Sequence, residues 1–384
     1  MNKALGDLYG THDGELIKNE EGVSFITIDL ERMVDQALNR TLAAIDPELY
    51  ARYYDSFMQG IREGFGGASL RLGTPDQKIF QEIRYNVATF AAFKNHAFTD
   101  QLIAAMVDDK GHLRSRGAFL AEAQKLDGAY NRRYFRVERD LAIGKSRSGM
   151  RWNKYQAQKH LFPNVVRREI IDKRTRKHHI LLNGLVIPLD DPFNDRHWAP
   201  DEPNCRGRMD QTTKKVDWKG IDPNDVEDEL TPWNINPGKF GRVVTDDHPY
   251  FGIGDYQAIA GKAQQAVLEH QRRELAAHYR DKLKGRTQAV KLAGDRKTSI
   301  SPEDVEHIMG QPSADEWFRN ELLFDLREVL AKADFVSSKA GADTGIRSHH
   351  LYRITLHGRA WYAGFKELKD TGKIVIERLG DKGT

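Results

Sequence analysis

Apolar side chains recur at three- and four-residue intervals through much of the first 160 residues, the period of a helix with one buried face. Ile79, Ile83, Val87 and Phe90 form the clearest stripe. Its start is marked by Thr74-Pro75, a capping residue before a proline at the first helical position, and Gln77 completes a capping-box pattern. Asp46-Pro47 marks another start in the same way. The spacing predicts helices from Ile28 onward, a loop at Gly64-Phe65-Gly66-Gly67, and further helices over residues 96–160. Tyr130 and Tyr134, four apart, are expected to pack on one helix face. Residues 1–25 scatter Gly6, Gly10, Gly14 and Gly22 through polar sequence and predict little regular structure.

Beyond residue 160 the helical period lapses. Leu181-Leu182 and Leu185-Val186-Ile187 flank Asn183-Gly184, a pair that predicts a tight hairpin. Pro188, Pro192, Pro200 and Pro203 exclude a continuous helix after it. Residues 217–254, with Trp218, Pro232-Trp233-Asn234, Pro237-Gly238 and Pro249, read as an extended arm. A long helix is expected from Asp255 to Lys284, with Leu268, Leu275, Tyr279 and Leu283 as its apolar seam. Ser301-Pro302-Glu303 opens a short helix holding Val305, Ile308 and Met309, and a second helix carries Phe318, Leu322, Leu326 and Val329. Strands follow at His350–Leu356, Ala360–Phe365 and Ile374–Ile376, turning at His357-Gly358 and Asp370-Thr371-Gly372. The pattern predicts an α+β chain in four parts: a helical region over 1–75, a hairpin-and-loop unit within 76–216, an arm and linker helix over 217–294, and a small α+β domain with an antiparallel meander over 295–384.

Composition narrows the class. Of 384 residues, 39% are hydrophobic and 30% charged, the make-up of a folded chain rather than a disordered one. No apolar run approaches the ~18 residues of a membrane span, and the N-terminus lacks an apolar leader, so neither membrane insertion nor secretion is expected. A single cysteine, Cys205, excludes an intramolecular disulfide and fits a reducing cytosol. Net charge is only +3, yet residues 131–180 hold fifteen Lys/Arg against four Asp/Glu, and residues 261–300 hold ten against four. Such asymmetry suits a neighbour of nucleic acid or of an acidic protein surface. Arg132, Arg133, Arg136 and Lys145 are the candidate phosphate contacts.

A second candidate chemistry lies near the C-terminus, where Arg347, His349, His350, Tyr352, Arg353, His357, Arg359 and Tyr362 fall within sixteen residues. Metal-independent RNA cleavage needs a base, an acid and cations for the phosphate, and this set contains each. Strand alternation puts His350, Tyr352 and Ile354 on one face and Leu351, Arg353 and Thr355 on the other. His350 and Tyr352, joined by His357 and Arg359 near the turn, are the candidate catalytic residues.

The densest run of polar and aromatic residues is Arg174 to Cys205. Thr175-Arg176 is followed by His178 and His179, then Gly184, Asp190-Asp191-Pro192-Phe193, Trp198-Ala199-Pro200 and Asn204-Cys205-Arg206. Upstream stand Tyr130-Asn131-Arg132-Arg133-Tyr134 and Trp152. Together these resemble the signature of the phage Mu F-like head morphogenesis family, the minor capsid proteins of tailed phages, over roughly residues 80–210. That family reads TR-x-x-H-x-x-L-x-G, then D-D-P-F/W, then N-C-R-C; here Gly207 replaces its last cysteine and Asn194 the tryptophan usual after DDPF. One thiolate does not hold a structural zinc alone, so no metal site is expected, and no cofactor is implied. A metal or catalytic site using His178, Asp190 and Asp191 is the sharper alternative, but two adjacent carboxylates project to different sides and rarely bind one ion together. The main expectation is that Thr175, His178, Asp190 and Asp191 hydrogen-bond the loop backbone.

The resemblance implies a minor head protein made in the bacterial host cytoplasm and carried in the virion. It implies a structural role near the portal in procapsid assembly and DNA packaging or ejection, with portal, major capsid and scaffold proteins, and phage DNA, as partners. The competing expectation is a virion-borne toxin, because the C-terminal element order is similar to the small nucleases grouped with barnase, EndoU, colicin and RelE. RNA becomes a partner only on that reading.

Overall fold

The computed structural model describes residues 2–9, 26–66, 70–222 and 231–382. Gly10, Gly14, Gly22 and Gly67 lie outside these. The chain divides into two compact units, one built from 1–69 and 82–266 and the other from 70–81 and 267–384. Both mix helices with sheet, as the period changes predict, and the second holds the antiparallel meander.

In the first unit helices α1 (Asn2–Tyr9), α2 (Leu30–Leu38), α3 (Pro47–Gly64), most of α4 (Pro75–Ala104), α5 (Arg116–Asp127) and α6 (Phe135–Gln158) precede any strand. Helix α1 falls where little regular structure is expected; it forms around Leu5 and Tyr9, an i,i+4 pair that is buried. Asp46 caps α3 by accepting from the Leu49 N–H, as the Asp-Pro start predicts. Gly64 ends that helix instead of opening a loop. Between α5 and α6 the backbone widens into a π-helical turn, Gly128–Tyr134.

A three-stranded antiparallel sheet follows, from β1 (Asn164–Arg168), β2 (Val186–Pro188) and β3 (Arg208–Thr212), in the order β2-β1-β3. Trp152, Val165, Leu182, Leu185, Ile187, Leu189, Trp198 and Met209 form its core. The hairpin expected around Asn183-Gly184 is not formed. Residues Lys177–Leu182 are a helix, α7, and β2 pairs with β1. Asn183 has φ −65° and ψ 122° and Gly184 has φ +82°, a type II turn closed by Leu185 N–H to Leu182 O at 3.2 Å. Glycine at the second central position is needed for either turn, so the sequence signal was right about φ and wrong about what precedes it. KHHILL lacks the alternation that would hold it as a strand.

The second unit carries α10 (Pro302–Met309), α11 (Glu316–Phe324) and α12 (Leu326–Ala331), numbered after a one-turn α8 (Pro237–Phe240) and the long α9 (Tyr256–Leu283). Ser301 and Asp304 form the capping box of α10. The helix expected to run through Phe318 and Val329 is broken at Asp325. Its sheet has six strands, β4 (Gln288–Lys291), β5 (Lys297–Ile300), β6 (Asp334–Ala340), β7 (Ile346–Leu356), β8 (Arg359–Leu368) and β9 (Ile374–Gly380), in the order β4-β5-β9-β8-β7-β6. All pairs are antiparallel except β5 with β9. The meander is β7-β8-β9, and His357 and Gly358, both at positive φ, make its first turn. Tyr352, Ile354, Leu356, Trp361, Ala363 and Phe365 are buried with Val305, Ile308, Leu323 and Leu330 from the helices.

Candidate functional site

Strand β1 carries Arg167 with its side chain 1% exposed, and the backbone there is held by Gly184 N–H to Arg167 O and Arg167 N–H to Leu185 O. A buried guanidinium requires anionic partners on every donor edge. It has them: Nε donates to Glu169 Oε1 at 2.6 Å, while Nη1 and Nη2 form a fork on Asp201 at 2.5 and 3.1 Å. Nη1 also reaches His197 O at 3.0 Å. Burial alone would lower the Arg167 pKa, but the Asp201 and Glu169 charges raise it overall. Burial would raise that of Asp201, yet Arg167 and His179 hold it well below the usual carboxylate range.

His179 sits at the centre of the remaining charges. Its Nδ1 lies 3.4 Å from Glu169 Oε2 and 3.9 Å from Cys205 Sγ, and its Nε2 lies 2.6 Å from Glu202 Oε1. His178 Nε2 bonds the same Glu202 oxygen, Arg176 Nε is 3.4 Å from the other, and Arg176 Nη2 donates to Pro203 O at 2.8 Å. Burial disfavours charge on His179, but its bonds to Cys205, Glu169 and Glu202 push its pKa up to about 12. Glu202 is brought down to about 2 against its burial, by His178, His179 and Arg176. Burial pushes the Cys205 thiol up.

These residues come from β1, the 169–176 loop, α7 and the 197–207 loop. Two sets have donor atoms within 4.8 Å of one another: Glu169, His179 and Cys205, and His178, His179 and Glu202.

Other motif residues serve the backbone. Thr175 Oγ1 donates to Ile170 O at 2.6 Å and accepts from Asp172 N–H at 2.9 Å. Asp190 pairs with Lys159 and Gln156, while Asp191 accepts from Phe193 N–H at 3.0 Å and caps the short turn opened by Pro192. Neither aspartate joins His178. Trp198 is fully buried, edge-on to Trp152 with ring centroids 4.9 Å apart. The Ala199–Pro200 bond is cis, and Asn204 has φ +60°. Cluster membership thus falls to Arg176, His178, His179 and Cys205 from the motif run, with Arg167, Glu169, Asp201 and Glu202 added. Arg167 and Glu169 could have been noticed as same-face charges, two apart, just after an apolar Val-Val pair.

Tyr130 and Asn131 belong to a second buried centre, among the helices. Lys94 is fully buried 3.0 Å from Glu138, and its ammonium lies over the rings of Tyr53, Tyr130 and Tyr250. His248 Nδ1 accepts from Tyr250 N–H, so its Nε2–H donates to Tyr9 Oη at 2.7 Å, and Tyr9 in turn donates to Glu138 at 2.9 Å. Burial, with Lys94 nearby, drives the His248 pKa well below its usual value and keeps it neutral. Asn131 accepts from Tyr53 and donates to Asp127 at 2.8 Å.

Of the four candidate phosphate contacts, Arg132 and Arg133 are exposed and Arg136 is half-buried. Lys145 is a correction: fully buried, it donates to Ile235 O at 2.7 Å, and burial lowers its pKa to about 8. A nitrogen so enclosed does not reach a phosphate.

The C-terminal candidates do not meet. Tyr352 faces the core and donates to Ala293 O at 3.3 Å. His350, also buried, has Nε2 3.2 Å from Ser348 Oγ and 3.3 Å from Glu367 Oε2. His357 stands seven positions along at the turn, about 23 Å away at the usual strand rise, with Nε2 3.3 Å from Gln77 Oε1. Arg359 pairs with Asp315 and Asp381.

Residues 100–209 match the family model described as Phage Mu protein F like protein. The chain is therefore similar to Mu F-like proteins over that segment. Comparison with curated proteins found no match, and comparison with solved structures found none. No helix among the described residues is long and apolar enough to cross a membrane.

Proposed function

We propose that the chain is a minor head protein acting near the portal, where it serves procapsid assembly and DNA packaging or ejection. The Mu F-like match over residues 100–209 carries this reading. The site supports it, because its charges are satisfied by one another and tie strand, helix and loop together. The same segment leaves Ile170, Ile171, Ile180 and Leu181 about half exposed, apolar surface of the kind that protein partners cover. Of the candidate phosphate contacts, Arg132, 3.7 Å from Asp127, and Arg133, which donates to Tyr134 Oη at 2.9 Å, are exposed cations that phage DNA could meet. The ribonuclease alternative draws no support from His350, Tyr352, His357 and Arg359, which are dispersed.

The test is complementation of a phage lacking this gene, with purified heads probed for the chain and for portal protein. Wild type should restore head yield and be present in the heads. Ile170→Glu with Leu181→Glu should lower incorporation while leaving the melting temperature unchanged. Normal heads formed without the chain would overturn the proposal.

A further inference from the structure

Three side chains of the ionic cluster bring three different kinds of donor together. Glu169 brings a carboxylate oxygen, His179 a ring nitrogen and Cys205 a sulfur, with Oε2 to Nδ1 at 3.4 Å and Sγ to Nδ1 at 3.9 Å. Around a tetrahedral ion with metal–sulfur bonds of about 2.3 Å and metal–nitrogen or metal–oxygen bonds of about 2.0–2.2 Å, ligand atoms sit roughly 3.3–3.6 Å apart. Small side-chain rotations would bring the three onto one ion.

The surroundings are those of a ligand set. While Nδ1 of His179 faces Glu169 and Cys205, Nε2 is 2.6 Å from Glu202 Oε1, the carboxylate partner that fixes the tautomer and orientation of a metal-bound imidazole. Glu169 keeps its other oxygen on Arg167 Nε at 2.6 Å, and the Gly207 N–H donates to Cys205 Sγ at 3.3 Å, a bond that favours a thiolate. The Glu169 and His179 side chains are 2% and 4% exposed, so the donors are already ordered.

Position 207 leaves room for the carboxylate. A Cβ on Gly207 would lie 2.5 Å from Glu169 Oε1 and 2.7 Å from Oε2, so glycine there lets the carboxylate stand near Cys205 Sγ.

We infer that Glu169, His179 and Cys205 bind one divalent transition-metal ion, with zinc the natural occupant of a mixed oxygen, nitrogen and sulfur set. Uptake exchanges the protons on His179 Nδ1 and Cys205 Sγ for the cation, so the buried cluster keeps its net charge. The ion ties β1, α7 and the 197–207 loop to one point. The site goes beyond the head-protein reading and does not depend on it.

The test uses the full chain, purified without chelator, with zinc measured by elemental analysis and the ion then exchanged for Co²⁺. About one equivalent of metal per chain is expected, and the Co²⁺ form should show tetrahedral d–d bands with a thiolate-to-cobalt charge-transfer band. Cys205→Ser should abolish the charge-transfer band, and Glu202→Gln should weaken metal affinity by about 10–100-fold. His178→Asn removes a partner of Glu202 but none of the three ligands, so it should keep the one-to-one stoichiometry and the thiolate-to-cobalt band even if affinity shifts. A folded wild-type chain that takes up neither ion, or a Co²⁺ form without thiolate absorption, overturns the site. So does loss of metal in His178→Asn with retention in Cys205→Ser, which would move the ion to His178, His179 and Glu202. Head assembly is not read in this experiment, so either proposal can fall without the other.

Discussion

The sheet of the Mu F-like segment and the sheet of the C-terminal unit are stabilised by opposite materials. In the C-terminal unit the inward face of β7 and β8 is Tyr352, Ile354, Leu356, Trp361, Ala363 and Phe365, packed on apolar helix faces. Beside β1 the chain buries Arg167, His179, Asp201, Glu202 and the side chain of Glu169, next to an apolar patch built on Trp152 and Trp198. An apolar core tolerates loss of one member by the volume it leaves. A buried ionic centre is all-or-none, because removing one charge strands another in a medium that does not solvate it.

Substitutions can break that contrast in order of size. Lys94→Met, in the helical centre, leaves Glu138 buried without its cation and should cost about 3–5 kcal/mol in denaturant unfolding. Tyr352→Ala, in the apolar core, should cost about 3–4 kcal/mol as a cavity, and Tyr352→Phe about 1 kcal/mol or less, for one hydrogen bond to Ala293 O. Gly184→Val forces a β-branched residue to φ +82° and should cost about 1–3 kcal/mol, with a fall in melting temperature. Lys159→Ala removes only an exposed pair with Asp190 and should change stability by no more than about 1 kcal/mol. If Lys159→Ala cost as much as Lys94→Met, burial would not be what separates the two kinds of ion pair.

The same contrast explains what could be read from sequence. Period-2 alternation along His350–Leu356 places each side chain correctly, since Tyr352, Ile354 and Leu356 carry the buried face and take His350 with them, and the capping residues Asp46 and Ser301 act where they stand. Strands β4, β5 and β6 escaped notice because they are short or lie at or near an edge; β6 is largely exposed, so no alternation is imposed on it. The ionic centre was half legible. Arg176, His178, His179 and Cys205 are visible within the motif run, whereas Arg167 and Glu169 lie in a stretch rich in Lys and Arg, and Asp201 and Glu202 follow Pro200 outside any periodic pattern. Charge pairing across more than thirty residues leaves no local pattern. Lys145 misled for the same reason: charge in sequence does not report burial.

Whether the Mu F-like segment is held by its buried ionic centre is tested most directly by a double-mutant cycle on Arg167 and Asp201, read by denaturant unfolding of the full chain. Arg167→Met alone should destabilise by about 3–5 kcal/mol, and Arg167→Met with Asp201→Leu should recover much of that loss, since no uncompensated aspartate remains. Additive losses, or an Arg167→Met variant within about 0.5 kcal/mol of wild type, would show that the pair does not hold the segment together.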